Sequence, residues 1–211
     1  MQEKDTHNIR AAFKAKRAEL TPETQREAAE RAVAIWLSQP ALRQVKRAGL
    51  HWAVRGELPT QLLINQLTRL NTAIYLPKPD DHNTGHLLFG RYLPDAPLST
   101  DRFGIKIPNF DRSEAIELEA LDVIVMPLVA TDEQGNRVGM GAGYYDRTLS
   151  RFKASDKLES SPLKPEPGTS KGPLLVGWCY EWQVTDSPLR AEAWDVPLSG
   201  LITDHRIRWF L

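Results

Sequence analysis

The stretch Leu121–Arg147, LDVIVMPLVATDEQGNRVGMGAGYYDR, decides the fold. It opens with a nearly continuous apolar run, Leu121–Val129, as expected of a strand that is buried on both faces of a sheet. An acidic, turn-rich segment follows, and glycines then occupy every second position from 139 to 143. We expect a short helix from Tyr144 to about Phe152.

Strands and helices alternate along the rest of the chain. Helices are predicted over about 6–19, from Pro22 to before Pro40 with Thr21 as N-cap, and from Pro59 to about Leu70. Strands are predicted over Leu50–Val54 and Thr72–Leu76. Two shorter segments, Leu87–Phe89 and Ile105–Ile107, are candidate edge strands. This pattern predicts an α/β fold in which a mostly parallel sheet carries helices on both faces, a Rossmann-like three-layer arrangement. Residues 1–211 are expected to form a single domain with a mobile loop at about 153–173.

Composition limits the classes of partner. The chain has 211 residues and equal numbers of basic and acidic side chains, 27 of each, which suggests no nucleic-acid or anionic-membrane partner. The charged N-terminus has no apolar signal region and no stretch is apolar enough to span a bilayer, so we expect a cytoplasmic protein. We also expect it to be a monomer. The single cysteine, Cys179, lies in an apolar run, and we interpret it as a buried thiol in preference to a nucleophile.

The glycine-rich segment from 139 to 143, called the glycine loop below, suggests a phosphate site. Closely spaced glycines allow positive φ angles and close approach of a ligand, and successive backbone N–H groups can converge on an anion. A helix starting at Tyr144 would add its dipole, and Asp146 would supply an oxygen ligand for Mg²⁺. The spacing is neither GxxxxGK[ST] nor GxGxxG, so a tight strand-to-helix connection with glycines for packing is the alternative.

The string Pro127–Leu149, PLVATDEQGNRVGMGAGYYDRTL, resembles the signature of the 5-formyltetrahydrofolate cyclo-ligase family, PLVAFD-x-x-G-x-RLG-x-GGGYYDR-x-L. The differences are Thr131 for Phe, Val138 for Leu, and Ala142 where Gly or Lys is common. None of them removes an oxygen ligand or one of the alternate glycines. The resemblance extends in patches from about Ile9 to Asp204.

The N-terminal patch is similar to the family's K-x-x-x-R helix. Arg10 matches the arginine, which implies contact with the nucleotide, whereas a solvated helix charge would be the interpretation without the resemblance. Thr6 occupies the position of the family's phosphate-binding lysine. Lys4, Lys14 or Lys16 could replace that lysine, or the site is weaker here.

Two further patches imply folate contacts. Glu57, in a segment similar to FLS-x-x-x-E-[LIV]-x-T, matches the glutamate that binds the pterin ring, and a carboxylate can accept two hydrogen bonds from that ring. Trp52 would line the folate pocket or the core. Phe103 begins a segment similar to [FW]-G-I-x-E-P and would flank the substrate, while Ile107 stands where a glutamate is usual.

A late patch around Asp195 is similar to the family segment that carries a second magnesium ligand; without the resemblance Asp195 would be a turn residue. The resemblance implies ATP as co-substrate, Mg²⁺ as cofactor and 5-formyltetrahydrofolate as substrate. The implied catalytic residues are Arg10, Tyr145 and Asp146, and the metal ligands are Asp146 and Asp195. The implied ATP site is Arg10, Arg137, Gly139, Met140, Gly141, Ala142, Gly143, Tyr144 and Tyr145; the implied folate site is Trp52, Glu57, Phe103, Met140, Gly141, Ala142, Gly143 and Tyr144.

The implied reaction is ATP-dependent closure of 5-formyltetrahydrofolate to 5,10-methenyltetrahydrofolate through phosphorylation of the formyl oxygen. Two alternatives remain at this point. One is another phosphate-binding α/β enzyme, such as a sugar-phosphate isomerase or an acyl-CoA transferase. The other is a non-catalytic nucleotide-binding module, which the unusual Thr6 and Ile107 would favour and the intact glycine loop argues against.

Overall fold

A computed structural model of the chain describes residues 3–152 and 172–210, with side chains described from His7 onward. The mobile loop predicted at about 153–173 lies almost entirely outside these residues. Lys4 and Thr6 belong to the first helix, but their side chains also lie outside the described part.

Helices form where the sequence patterns place them. Thr21 caps the second helix by accepting a hydrogen bond from the Thr24 N–H at 3.1 Å, and a proline follows at the first helical position. The helices are α1 Glu3–Ala18, α2 Pro22–Ser38, α3 Pro40–Arg43, α4 Gln61–Arg69 and α5 Tyr144–Leu149. The predictions for α1, α2, α4 and α5 are confirmed within a few residues.

The strands build one large sheet and two small ones. They are β1 Arg47–Gly49, β2 Ala73–Pro79, β3 Leu87–Arg91, β4 Leu98–Thr100, β5 Lys106–Pro108, β6 Val123–Met126, β7 Ala130–Asp132, β8 Arg137–Val138, β9 Leu174–Trp178, β10 Val184–Thr185, β11 Gly200–Ile202 and β12 Ile207–Trp209. The large sheet has the order β12-β11-β9-β6-β1-β2-β3, and only its two edge strands are antiparallel to their neighbours. The predicted α/β fold with a mostly parallel sheet is therefore confirmed.

The central strand β6 is buried on both faces because successive residues point to opposite sides. Val123 and Val125 face the core formed with α2 and α4, where Trp36 packs edge-on against Trp178 at 6.4 Å. Ile124 and Met126 face a second core that is covered by α5 and irregular segments.

A small sheet of order β10-β7-β8 lies beyond the end of β6 and carries the glycine loop. The helix α1 docks on it through Ile9 and Phe13, which pack against Ala130, Val138 and Leu189. Phe13 also meets the ring of Trp182 edge-on at 5.6 Å. The N-terminal helix is thereby fixed beside the loop rather than on a face of the large sheet.

Three strand predictions need correction. The strand predicted at Leu50–Val54 is Arg47–Gly49, and the apolar residues after it leave the sheet and line the interior near the site. The apolar run Leu121–Val129 is strand only over Val123–Met126, since Pro127 has no N–H for the ladder. The segment at Ile105–Ile107 pairs with β4 in a separate two-stranded sheet and is not an edge of the large one.

Candidate active site

One face of α1 carries basic side chains toward the glycine loop. Arg10, Lys14 and Arg17 follow the i, i+4, i+7 spacing that places residues on one side of a helix. Arg10 Nε donates to the Gly139 carbonyl at 2.9 Å, and Arg17 Nη2 contacts Met140 Sδ at 3.7 Å. Arg10 therefore lies against the glycine loop, and its contact with the nucleotide stays a prediction.

The glycine loop has the conformation for which glycine is needed at two of its three glycines. Gly141 and Gly143 have φ angles of 103° and 66°, whereas Gly139 is not in the positive-φ region and a Cβ there would meet nothing within 4 Å. The helix α5 that follows has six residues, so its dipole adds little. An anion at this loop would therefore be held by loop N–H groups and by arginines, with little help from the helix.

Asp146 lies at the start of α5 and is held by two donors. Its Oδ1 accepts from Arg137 Nη2 at 2.6 Å and from the Val196 N–H at 3.3 Å. The Arg137 side chain is buried, and its Nη1 donates to the Val196 carbonyl at 3.2 Å. Arg137 thus contacts Asp146 and the 196 backbone in this structure, and its assignment to phosphate stays a prediction.

A cleft of about 500 Å³ opens beside the glycine loop. Asp146, Arg147 and Trp194 line it together with Gly141, Ala142, Gly143, His86 and Ser150. The Arg147 side chain connects two segments of the chain at this cleft. Its Nε donates to the Gly85 carbonyl at 3.0 Å, and its Nη2 donates to the Ala142 carbonyl at 2.5 Å. Glycine is favoured at position 143 by its φ of 66°; a Cβ there would also lie 2.8 Å from Arg147 Nη1, at the movable end of that side chain.

Asp195 directly follows Trp194, one of the residues that line the cleft. Its Oδ2 accepts from the Glu192 N–H at 2.8 Å, and its neighbour Val196 contacts Asp146. Among the described residues, no group of three or more His, Cys, Asp or Glu side chains forms a ready-made metal cage. Mg²⁺ bound with nucleotide phosphates needs only one or two protein carboxylates. Asp146, which lines the cleft, fits the role of one such ligand, and Asp195 as the second ligand stays a prediction.

A polar cluster surrounds Glu57. It consists of Arg17 and His51, which are buried, and of Glu57 and Tyr145, which are partly buried; the charge of Glu57 acts on both His51 and Tyr145. Arg17 Nη1 is 3.6 Å from Glu57 Oε1, and Glu57 Oε2 accepts from the Val54 N–H at 3.1 Å. Burial lowers the pKa of His51, so it stays neutral near pH 7 and leaves Glu57 with Arg17 as its counter-charge.

Two members of this cluster have donors without acceptors. Arg17 is 1% exposed, yet its Nε and Nη1 have no hydrogen-bond partner in the described part of the chain, and neither does the Tyr145 hydroxyl. Burial raises the pKa of Tyr145, so its hydroxyl keeps its proton. Buried polar groups in proteins are normally satisfied, and such exceptions often mark places where a ligand binds.

A second cavity of about 320 Å³ borders this cluster. Arg17 and Met140 line it, together with Lys14, Ala18, Leu20, Gln25, Arg55 and Gly56. The turn at Gly56 has a φ of 72°, and a Cβ there would lie 2.5 Å from the Arg17 carbonyl oxygen, so glycine lets this turn press against α1. Met140 follows the loop's first glycine and lines the second cavity, whereas the next residue, Gly141, lines the cleft.

Aromatic residues flank the loop. Phe103 and Tyr144 meet edge-on at 6.3 Å, and the Tyr144 hydroxyl accepts from Arg102 Nη2 at 2.8 Å. Trp52 lies apart from them, partly buried against the first core and 6.3 Å from the ring of Tyr92. Cys179 is a buried free thiol as predicted, and burial raises its pKa well above the usual value.

Sequence reasoning missed Arg17 and Arg147 as candidate site residues. Arg147 stands inside the quoted motif, directly after Asp146, so its position was a usable signal. Arg17 lies two helical turns after Arg10, a spacing that places both on one face, but the sequence does not show that the second arginine is buried.

A family model described as the 5-formyltetrahydrofolate cyclo-ligase family matches residues 2–204. The chain is 34% identical over 192 residues to the 5-formyltetrahydrofolate cyclo-ligase of Escherichia coli strain K12, covering 91% of this chain and 96% of that protein. It is also 34% identical over 202 residues to the Haemophilus influenzae protein of the same name, with 96% and 99% covered.

Two solved structures are also similar to this chain. The structure of Aquifex aeolicus 5,10-methenyltetrahydrofolate synthetase is 29% identical, has a TM-score of 0.75, and is covered over 92% of its length by 97% of this chain. A 5,10-methenyltetrahydrofolate synthetase from Mycoplasma pneumoniae, at 19% identity and a TM-score of 0.66, shares the fold. No helix in the described ranges is long and apolar enough to cross a membrane.

Proposed function

The chain belongs to the 5-formyltetrahydrofolate cyclo-ligase family and is a ligase, and from that premise we propose how its residues carry out an ATP- and Mg²⁺-dependent ring closure. The substrates are 5-formyltetrahydrofolate and ATP, and the products are 5,10-methenyltetrahydrofolate, ADP and phosphate. The observation that carries the proposal is that neighbouring residues of one loop line two sites. Gly141 lines a cleft with the features of a phosphate site, and Met140 lines a cavity beside the Arg17–Glu57 pair, which suits a pterin ring.

The cleft beside the glycine loop is the proposed phosphate site. Its glycines give N–H groups room to approach an anion, and Arg10 lies against the loop at the Gly139 carbonyl. Arg147 fixes the loop to the opposite wall, which keeps the donors in place before the nucleotide arrives. Asp146, with Asp195, would hold Mg²⁺, which supplies neutralisation of phosphate charge when it is bound.

The folate would bind at the Arg17–Glu57 pair beside Met140, with Glu57 accepting hydrogen bonds from the pterin amino group and ring N–H. A formamide is a poor electrophile because its nitrogen donates into the carbonyl. The formyl oxygen therefore attacks the γ-phosphorus, an O–P bond forms, and the bond to the bridging oxygen breaks to release ADP. Such a transfer needs positioning and charge stabilisation more than an acid–base group.

Ring closure completes the reaction. The lone pair of the neighbouring folate amine attacks the formyl carbon, the amine loses its proton, and the C–O bond breaks to release phosphate. The Tyr145 hydroxyl, buried and unpartnered near Glu57, is the group we place at the folate side of this step. Tyr144 would contact the folate by its ring, since its hydroxyl is occupied by Arg102.

The direct test mixes purified protein with 5-formyltetrahydrofolate and Mg-ATP and follows methenyl absorbance in the near ultraviolet. We expect absorbance to rise only when both ATP and Mg²⁺ are present, with one ADP per methenyl group. A sugar-phosphate isomerase or CoA-transferase-like enzyme would give no signal with these substrates. ATP binding without any turnover would instead favour a non-catalytic nucleotide-binding module.

Arg10→Ala should weaken the use of ATP more than the use of folate. Loss of a charge-assisted contact to phosphate costs about 1.5–3 kcal/mol, so the KM for ATP should rise about tenfold or more. Steady-state kinetics with each substrate varied in turn check this, with Arg69→Ala, an exposed arginine at the end of α4, as the control.

Removal of the residues before Asp5 tests whether Lys4 supplies the charge that Thr6 lacks. We expect a smaller rise in the KM for ATP than Arg10→Ala gives, with folate binding unchanged. Adding Thr6→Lys to the shortened protein should restore the binding of ATP. An unchanged KM for ATP would show that Lys4 takes no part.

Tyr145→Phe should lower kcat by about tenfold or more while leaving the thermal stability unchanged or slightly higher. The stability follows because the substitution removes a buried hydroxyl that has no partner in the described part of the protein. Tyr144→Phe is the matched control, since it keeps the ring and removes a hydroxyl bound to Arg102. Equal effects of the two substitutions on kcat would contradict a specific role for the Tyr145 hydroxyl.

A further inference from the structure

Arg17 is a buried cation that the chemistry above leaves without a function. Its nearest oxygen contact in the salt-bridge geometry is Glu57 Oε1 at 3.6 Å, which is longer than a hydrogen bond, and its other described contact is the Met140 thioether. Nε and Nη1 have no hydrogen-bond partner among the described residues. Burial of a guanidinium costs several kcal/mol unless charge and hydrogen bonds compensate it, so this side chain is placed for an acceptor that arrives from outside.

The direction of that acceptor follows from the cavities. Arg17 lines the 320 Å³ cavity, and it does not line the cleft that holds Asp146 and the second half of the glycine loop. Met140, which contacts Arg17, lines the same cavity as Arg17, whereas the cleft is lined by the loop from Gly141 onward. The missing acceptor is therefore expected on the folate side and not among the nucleotide phosphates.

The chemistry of a pterin edge matches this arrangement. The 2-amino-4-oxo ring presents two donors, the 2-amino group and N3–H, followed by one acceptor, the oxygen on C4. Glu57 offers two acceptor oxygens, and Arg17 offers free N–H donors beside one of them. His51 is neutral near pH 7, and its Nε2 lies 4.0 Å from Glu57 Oε2. It therefore adds no second cation that would compete with Arg17 for the Glu57 carboxylate.

We infer that Arg17 donates to the C4 oxygen of the pterin and makes the enzyme specific for 4-oxo over 4-amino folates. The inference rests on the proposed function, in which Glu57 binds the pterin. Arg17 and Glu57 then bind the edge as a unit, with acceptors opposite donors and donors opposite the acceptor. A 4-amino ring would place a donor against the Arg17 donors and would leave them unpaired, which is the kind of mismatch that a buried polar site rejects strongly.

The test is a cycle of two proteins and two ligands. Wild type and Arg17→Met are titrated by calorimetry with 5-formyltetrahydrofolate and with its analogue in which an amino group replaces the C4 oxygen. A neutral 4-amino ring has no N3–H, so Glu57 contributes differently to the two ligands. That difference is common to both proteins and cancels when the ratio of the two dissociation constants in wild type is divided by the same ratio in Arg17→Met. We expect wild type to favour the 4-oxo ligand and Arg17→Met to reduce that preference by about tenfold or more.

Two further variants protect the interpretation. Arg17→Lys keeps the charge but loses the fork of donors, and it is expected to retain only part of the preference if Arg17→Met folds poorly. Lys14→Met removes a charge from the same cavity and should weaken both ligands equally. A preference that is unchanged in both Arg17 variants, or that falls as much in Lys14→Met, would overturn the inference.

The outcomes separate this inference from the proposed function. If wild type forms no methenyl product, the proposed function fails. If wild type turns over and binds the 4-oxo ligand, but the Arg17 variants show the wild-type ratio, only the assignment of Arg17 fails.

Discussion

Asp146→Asn should lower turnover on the order of 10²–10³-fold, the largest effect expected of a single substitution in this protein. The side chain faces the cleft beside the glycine loop, where Mg²⁺ on the nucleotide phosphates would be bound. Loss of a metal carboxylate removes several kcal/mol of transition-state charge stabilisation. The measurement is kcat as a function of Mg²⁺ concentration, and the defect should persist at saturating Mg²⁺.

The structure also provides the control for this result. An asparagine Oδ1 can still accept from Arg137 Nη2 and from the Val196 N–H, so the local geometry should survive and only the charge is lost. Because the buried Arg137 loses its counter-charge, thermal unfolding should nevertheless show a loss of stability, so kcat is compared at a temperature where the variant is fully folded. Asp195→Asn should give a milder loss of turnover. Near-normal kcat for Asp146→Asn at saturating Mg²⁺ would show that Asp146 serves only to hold Arg137.

Glu57→Gln should raise the KM for folate by roughly tenfold to hundredfold and change the KM for ATP little. Glutamine presents an NH₂ donor where the pterin also donates, and unpaired groups of this kind cost about 1–3 kcal/mol. The substitution should also lower stability by roughly 3 kcal/mol, because Arg17 loses the counter-charge that lies 3.6 Å away. Steady-state kinetics and chemical denaturation measure the two effects separately.

The double variant Arg17→Met with Glu57→Gln separates stability from binding. It removes both charges of the buried pair, so the free energy of unfolding should recover most of the loss. The KM for folate should stay high, because the carboxylate that accepts from the pterin is still missing.

For the single variant Glu57→Gln, equal weakening of folate and ATP would contradict a pterin-specific role and indicate general damage to the fold.

Much of the fold follows from local signals. Thr21 and Pro22 define the start of α2, and the β-branched run before Pro127 defines the central strand. The register of β1 did not follow, since Leu50–Val54 looks more strand-like than the real strand Arg47–Gly49. Apolar residues after a strand that line a buried site have the same composition as a strand, and pattern alone does not separate the two.

The candidate site was predictable where one continuous motif carries it. The glycine loop and Asp146 line one cleft, as their closeness in sequence suggests. Arg10 contacts this loop although 129 residues separate it from Gly139. The burial of Arg17 against Glu57 was not predictable, because it depends on how α1 docks on the small sheet. The Arg137 contact with Asp146 also depends on the hairpin between the central strand and the loop, a feature that a strand-to-helix connection would not contain.

The central claim, that the formyl oxygen is phosphorylated, is tested most directly by isotope labelling. The protein converts 5-formyltetrahydrofolate labelled with ¹⁸O in the formyl group, and the released phosphate is analysed by ³¹P NMR and mass spectrometry. We predict one ¹⁸O in the phosphate for each methenyl group formed, because the formyl oxygen leaves on phosphorus. Unlabelled phosphate with the ¹⁸O recovered in water would contradict it.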